Sequence, residues 1–370
     1  MRPGIPVLLT VVLVCIGAHV FLSDGLIPRP EPLRKNLITS LRCNMSELMQ
    51  RKDFLNLVTW DHSNGSALTV AGCDLNAIDV NLARRCFATA APEGVAMVGD
   101  SLTRYQYLNL IYFLVHGVWG ASGYPPNENE NKYNNWNQFY QLTNERMGGH
   151  EICDCFRNNV DPTIEYRYFD DGEVKIAYRM VFGRDTPILL HDPELLNVSS
   201  CRAPKCRADP ACRCRQGLCA PGTCSREVTP ILDFGTILDK GTIQRLVEVH
   251  PASLIFFNSG LWWHGRGRND FADHRDVLVE ELLRFRQTRQ AAVHWKMTTA
   301  SNMHVPPEFA FARDVVAAGA FDGVFDTWSL TIDIARNPVG LMYDHCHFEP
   351  RVYEGLNRAL IAYVCSLPER

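Results

Sequence analysis

Three short apolar runs limit how this chain can fold. GVAMV (94–98) and SLIFF (253–257) have almost no polar alternation, and AVHWKM (292–297) is apolar but for His294 and Lys296. That pattern suits strands buried on both faces. Helical patterns lie between them. Leu108, Ile111, Tyr112 and Val115 recur at i, i+3, i+4 and i+7, which predicts a helix with one apolar face, ended by His116-Gly117. Residues 272–290 predict an amphipathic helix with Leu278, Leu282 and Phe285 on one face. A last helix is predicted from about Arg351 to Val364, with Val352, Leu356, Ala359, Leu360 and Tyr363 inward. FDGVFD (321–326) is a further candidate strand, and TIEYRYF and EVKIAYRMVF flank Asp170-Asp171-Gly172, a hairpin turn. Strands alternating with helices predict an α/β fold with a mostly parallel sheet covered on both faces. In such sheets ligands bind at the carboxyl ends of the strands. GDS, NSGLWWHG and TTASNMH each follow a candidate strand and are expected at that rim.

The chain has 370 residues and is 46% hydrophobic, enough for one α/β domain with elaborations. Its formal net charge of −4, with no long basic run, argues against nucleic acid as a partner. Arg2 precedes an apolar stretch from about Ile5 to Leu22, so residues 1–25 read as a signal anchor or signal peptide. The length of the run favours an uncleaved anchor; a cleaved, secreted form is the alternative. Either way the rest of the chain is expected in the secretory pathway. Sequons at Asn44, Asn64 and Asn197 agree, as does the presence of 14 cysteines, all but Cys15 beyond the apolar segment.

Residues 26–90 read as a stem and a cap segment that wraps the core, and 91–370 as the main domain. Residues 119–150, rich in Asn, Tyr and Trp, read as a long loop. A disulfide-rich insertion occupies 195–226, with Cys201, Cys206, Cys212, Cys214, Cys219 and Cys224. Thiolate zinc binding is the alternative there, but an oxidising compartment favours disulfides. Cys346 is expected to be tied, with Cys365 as its partner. No spacing of a known metal site appears, so no metal ligand is assigned.

Ser101 is the candidate nucleophile. A serine hydroxyl needs an adjacent base, and a helix start offers free backbone N–H groups to a developing oxyanion. The plain alternative is that Asp100 or Ser101 merely caps the helix. Asp344 and His347 stand three apart just before the last helix, where a turn can aim the carboxylate at one ring nitrogen while the other faces the serine. His345 is a competing base with poorer geometry.

The blocks GDSLTRYQ, FFNSGLWWHG and DHCHF, in that order, resemble those of the SGNH/GDSL hydrolase superfamily. They are most similar to its PC-esterase branch, which includes the trichome-birefringence-like polysaccharide O-acetyltransferases. The resemblance implies a three-layer SGNH/GDSL-like fold, with Ser101 as nucleophile, His347 as base and Asp344 as its orienter. It also implies Asn258 and the Ser101 backbone N–H as oxyanion-hole donors. Arg104 matches the block's arginine, expected to brace the helix or hold an acidic group and assigned to substrate binding. Trp262 and Trp263 are expected to stack on a sugar, with a buried aromatic pair as the alternative. The chain departs from the plant group at Tyr105, where Asn is usual, and at Leu261, where His is usual. It also lacks a Leu-Pro-Gly segment after Phe348. Another glycan acceptor is therefore expected.

The function so implied by the resemblance is acyl transfer, of acetyl, from acetyl-CoA or another donor to hydroxyls of a glycan or glycoconjugate. No bound cofactor is expected; the acetyl donor is a co-substrate. The setting would be the Golgi or another secretory-pathway membrane, as a single-pass type II protein, with a possible acyl-delivering membrane partner. An esterase using the same residues and a non-catalytic glycan-binding protein are the alternatives.

Overall fold

The computed structural model describes residues 41–62, 67–120, 138–139, 142–143, 146–147, 151–156, 164–181, 188–190, 233–235, 252–258, 270–288, 291–300, 316, 318–338, 340–342, 344 and 346–369. The anchor or signal segment, the sequons at Asn64 and Asn197, the cysteines of 195–226 and the pair Trp262 and Trp263 lie outside the described residues. No described helix is long and apolar enough to cross a membrane.

The described elements run in chain order from a short helix α1 (Met45–Leu48) through a hairpin, β1 (Val58–Asp61) and β2 (Ala67–Val70), to α2 (Val80–Ala90). Then come β3 (Val95–Gly99), α3 (Ser101–His116), β4 (Glu151–Phe156), β5 (Ile164–Asp170) and β6 (Lys175–Met180). A small pair follows, β7 (Ile188–Leu190) and β8 (Asp233–Gly235), and then β9 (Leu254–Phe257), α4 (Asp270–Thr288), β10 (Ala292–Lys296), β11 (Gly323–Phe325), α5 (Thr327–Arg336) and α6 (Pro350–Ser366). Seven strands form one sheet in the order β11-β10-β9-β3-β6-β5-β4. Pairing is parallel from β11 to β6 and antiparallel at β6–β5 and β5–β4, so only β5 runs against the rest. The fold is thus mixed α/β with a mostly parallel sheet.

The apolar runs explain the layering. Side chains alternate across a strand, and in β3 Val95 and Met97 enter one core while Ala96 and Val98 enter the other. The first core also takes Leu82, Leu108, Leu110, Leu356 and Leu360 from α2, α3 and α6. The second takes Leu282 and Phe285 from α4. Both faces are therefore covered. Each fully buried large apolar side chain contributes roughly 1.5–3 kcal/mol. The segment 41–91 joins the first core through Leu41, Met45, Phe54, Trp60 and Phe87. At Gly355 in α6 a Cβ would come within 2.6 Å of Trp60 Cη2 and 2.9 Å of Leu68 Cβ, so glycine lets the β1–β2 hairpin close on the helix.

Four expectations change here. The helix after GVAMV has no single apolar face. All of Ser101–Ile111 is buried, because α3 lies between the sheet and α6; Arg104 pairs with Glu165 and Asn109 with Asn357 inside the core rather than facing water. The reading of 119–150 as one long loop falls mostly outside the described residues, but 138–139, 142–143 and 146 are helical. Strand β4, with the polar pattern EICDCF, was not foreseen. Finally, Cys365 bonds to Cys86, tying α6 to α2, and Cys346 is a free, buried thiol. The expected Cys346–Cys365 bridge is therefore corrected: Cys86 on the neighbouring helix meets Cys365 with Cα atoms 4.7 Å apart. A second disulfide joins Cys43 and Cys73.

Candidate active site

Chain connectivity changes side at β3. Its neighbours are β9 on one edge and β6 on the other, and such a switch point leaves a crevice at the carboxyl ends of the strands. Gly99 ends β3 there, and α3 begins two residues later. A Cβ at Gly99 would stand 2.4 Å from Thr103 Oγ1 and 3.3 Å from Asn258 Cβ. Glycine is what allows the strand end, the first turn of α3 and the end of β9 to approach so closely.

Asp100 is the N-cap of α3, and its Oδ1 accepts from Leu102 N–H at 3.0 Å. The cap role thus falls to Asp100, which leaves the Ser101 hydroxyl for other work. Asp100 is fully buried, and burial pushes its carboxyl above the usual range, opposed first by the charge of Lys296. Lys296 is itself buried at the end of β10 and donates through Nζ to Thr103 Oγ1 at 3.3 Å. Tyr178 on β6 donates to Gly99 O at 3.2 Å and to Asp100 O at 3.0 Å, fixing the strand-to-helix turn from below.

The base arrives from the other end of the chain. His347 Nε2 lies 2.7 Å from Ser101 Oγ, and His347 Nδ1 lies 2.7 Å from Asp344 Oδ2. Asp344 Oδ1 accepts backbone N–H bonds from Cys346 (2.8 Å) and His347 (2.7 Å), so one carboxylate both shapes the turn and orients the ring. Burial alone would raise the Asp344 carboxyl. The bonds from the His347 ring and the two amides outweigh it and hold the group well below the usual carboxylate range. Met342 pairs with Phe348, and Glu349 N–H donates to Leu341 O at 2.9 Å, which closes the loop. The Tyr105 and His347 rings pack in a T-shaped contact, centroids 5.4 Å apart and planes at 83°.

Polar contacts between α3 and α6 set the distance between serine and histidine. Asn357 Nδ2 donates to Gln106 O and to Asn109 Oδ1, both at 3.0 Å, and Asn109 Nδ2 donates to Pro350 O at 3.4 Å. Pro350 opens α6 three residues after His347. Ser101 and His347 keep 9% and 8% exposure, so the pair is nearly dry but still reachable. Among the described residues the Ser101 N–H, the first orphan donor of α3, has no acceptor.

The structure therefore brings Ser101, His347 and Asp344 into one hydrogen-bonded chain. Of the other expected residues, Asn258 and Arg104 are described, and Trp262 and Trp263 lie outside the described residues. Asn258 sits beside Gly99 at the end of β9, but its amide N–H groups point to β10, donating to Lys296 O (2.8 Å) and Thr298 Oγ1 (3.2 Å). Asn258 thereby braces the two strand ends beside the serine turn. Arg104 is fully buried. It pairs with Glu165 at 3.1 Å and packs over the Tyr105 and Phe139 rings at 4.7 and 5.4 Å. It holds an acidic group of its own chain, so the substrate-binding assignment is corrected. Asn44 is the half-buried N-cap of α1, with its Oδ1 accepting from Ser46 Oγ at 2.9 Å. His345 lies outside the described residues.

Sequence reasoning missed Lys296, Tyr105 and the asparagine pair Asn109 and Asn357. A lysine inside the apolar strand AVHWKM was the available signal for the first. It also missed that Asp344, Cys346 and His347 place potential metal-ligand atoms within 4.8 Å of one another. No model of a known protein family, no curated protein and no solved structure matches this chain.

Proposed function

We propose that this protein is a serine-dependent O-acyltransferase of SGNH/GDSL type, similar to the PC-esterase branch, which moves an acetyl group to a glycan hydroxyl through an acyl-Ser101 intermediate. The observation that carries the reading is the unbroken relay from Ser101 Oγ through His347 to Asp344, with both links at 2.7 Å, at the start of a helix that follows a central parallel strand.

The chemistry follows from those positions. Ser101 Oγ attacks the acetyl carbonyl carbon as its proton passes to His347 Nε2. Asp344 holds the Nδ1–H and stabilises the imidazolium. The tetrahedral oxyanion is held by the Ser101 N–H at the positive end of α3. As the intermediate collapses, the C–O or C–S bond to the leaving group breaks and the leaving group takes the proton from Nε2. A sugar hydroxyl then gives its proton to Nε2 and attacks the acyl carbon, and Ser101 recovers a proton as the ester bond to it breaks. Water in place of the sugar gives an esterase. The acceptor is a glycan or glycoconjugate, with Trp262 and Trp263 as the proposed stacking platform. The proposed location is the lumen of the Golgi or another secretory compartment, behind the N-terminal anchor.

The experiment is a transfer assay on the protein made in a secretory host, with an activated acetyl ester and with or without mixed glycans. Acetyl moving from Ser101 to sugar supports the transferase. Acetyl-Ser101 that decays only to acetate makes the protein an esterase, and retained glycan binding with no acetylation of Ser101 makes it a binding protein.

A further inference from the structure

We infer that the loop carrying Asp344, Cys346 and His347 is a zinc(II) site whose occupation switches the serine centre off. Three chemically different ligands meet there. The Asp344 carboxylate, the Cys346 sulfur and the His347 imidazole hold their ligand atoms within 4.8 Å of one another. Cys346 Sγ is 3.4 Å from His347 Nδ1. A tetrahedral zinc ion, about 2.3 Å from sulfur and about 2.0 Å from nitrogen, sets two such atoms roughly 3.5 Å apart. Sγ also lies 4.0 Å from Nε2, so the sulfur now sits over the ring face and must swing toward the Nδ1 edge as the ion binds. Asp344 Oδ2, now 2.7 Å from Nδ1, needs to withdraw by only about half an ångström to share the ion. Its side chain is 34% exposed, which gives it room to move and opens a path from solvent.

The donor set selects the metal. Calcium and magnesium take oxygen ligands, whereas one thiolate, one imidazole and one carboxylate suit zinc, with water at the fourth position. Cys346 is available because it is the free cysteine among the described residues, and the relay itself does not use it.

Binding changes the protons and leaves every oxidation state as it was. The Cys346 thiol releases its proton to water as the S–Zn bond forms. The imidazole with Asp344 at Nδ1 carries its proton on that nitrogen. Coordination through Nδ1 moves this proton, by way of solvent, to Nε2. Nε2 then presents N–H to Ser101 Oγ and has no lone pair to receive the serine proton. Removing the ion with a chelator restores the relay. The effect on turnover rests on the serine-centred reading above; the binding of the ion does not.

The test uses the full chain and reads binding and turnover separately. Cadmium titration is expected to raise a thiolate-to-metal absorption band in wild type and in Ser101→Ala, larger by one site per chain than in Cys346→Ala. Zinc is expected to slow alkylation of the Cys346 peptide in wild-type protein about tenfold by mass spectrometry, a readout that needs no variant. Zinc is also expected to lower ester turnover of wild type about tenfold and of Cys346→Ala less than twofold, each against its own metal-free rate. An equal band in wild type and Cys346→Ala, or Cys346 alkylation indifferent to zinc, overturns the site. Zinc bound at the loop with turnover unchanged overturns the switch. No turnover in metal-free wild type counts against the serine-centred reading alone, since the cadmium and alkylation results still decide the site.

Discussion

Asn357 and Asn109 form a buried amide pair, Nδ2 to Oδ1 at 3.0 Å, that locks α6 against α3 and thereby sets how far His347 stands from Ser101. Both side chains are fully buried, and Asn357 Nδ2 also satisfies Gln106 O. Replacing Asn357 with leucine keeps the bulk and removes both donors. Two buried acceptors lose their partner, at a cost of about 1–3 kcal/mol. Chemical denaturation of Asn357→Leu is expected to show that loss, together with a drop in Ser101 acylation larger than its effect on folded fraction explains. Wild-type stability in this variant would mean that the pair does not set the register of the two helices.

Asp344→Asn keeps the shape of the turn but places an amide where a carboxylate faces His347 Nδ1. The ring then loses its fixed tautomer, and acyl transfer is expected to fall by roughly 10³–10⁴. The same contacts have a pH signature. The folded-state carboxyl is depressed, so its stabilising effect is present above the unfolded value and is lost as pH falls through the folded one. Acid titration of wild type against Asp344→Asn should therefore show the wild-type advantage beginning to shrink as pH falls toward 4 and continuing to be lost below it, down to the depressed folded value. An advantage that vanished already near pH 6 would contradict the assigned bonds.

Asp326 gives the opposite sign. It caps α5 through Ser329 N at 2.9 Å and Ser329 Oγ at 2.6 Å, yet burial pushes its carboxyl up to about 6. A raised folded value means that its contribution is fully present below the unfolded value and is lost as pH rises through 6. Between pH 4 and pH 7 the stability difference between wild type and Asp326→Asn is expected to shift against wild type by on the order of 2 kcal/mol. Denaturation curves at stepped pH measure it. A difference that stays flat across that range would show Asp326 to be ionised without penalty.

The cysteine pairing is read by mapping. Non-reducing alkylation of the denatured protein, followed by peptide mass spectrometry, should label Cys346 and leave Cys43, Cys73, Cys86 and Cys365 in two bridged pairs. Cys86→Ala opens a link across 279 residues of chain and should cost about 2–5 kcal/mol. A Cys346–Cys365 peptide would reverse the assignment.

The sequence makes the parallel strands legible because a strand buried on both faces needs no polar alternation, and GVAMV and LIFF have none; AVHWK carries His294 and Lys296, which are buried against Tyr363 and Thr103. The Asp170-Asp171-Gly172 hairpin is legible from its turn residues, and Asp344 and His347 from a three-residue spacing that one turn can satisfy. What stays hidden is set by contacts distant in sequence. Arg104 and Asn109 look like the wet side of α3, but they are buried against Glu165 and against Asn357 of α6. EICDCF has no apolar run because β4 is an edge strand paired on one side only. Cys346 looks like the partner of Cys365 by nearness along the chain, whereas the helix packed beside α6 supplies Cys86. The direction of the Asn258 amide depends on Lys296 O and Thr298 Oγ1, which no motif records.

The central claim is that Ser101 Oγ, activated by His347 2.7 Å away, forms an acyl-enzyme. The most direct measurement is mass spectrometry of the Ser101 peptide after brief exposure of the folded protein to an activated acetyl ester, with His347→Ala in parallel. An acetyl adduct on Ser101 in wild type, absent or at least about 100-fold slower in His347→Ala, is the predicted result. Folded wild-type protein whose Ser101 takes no acetyl group, or takes it equally fast without His347, would contradict the account.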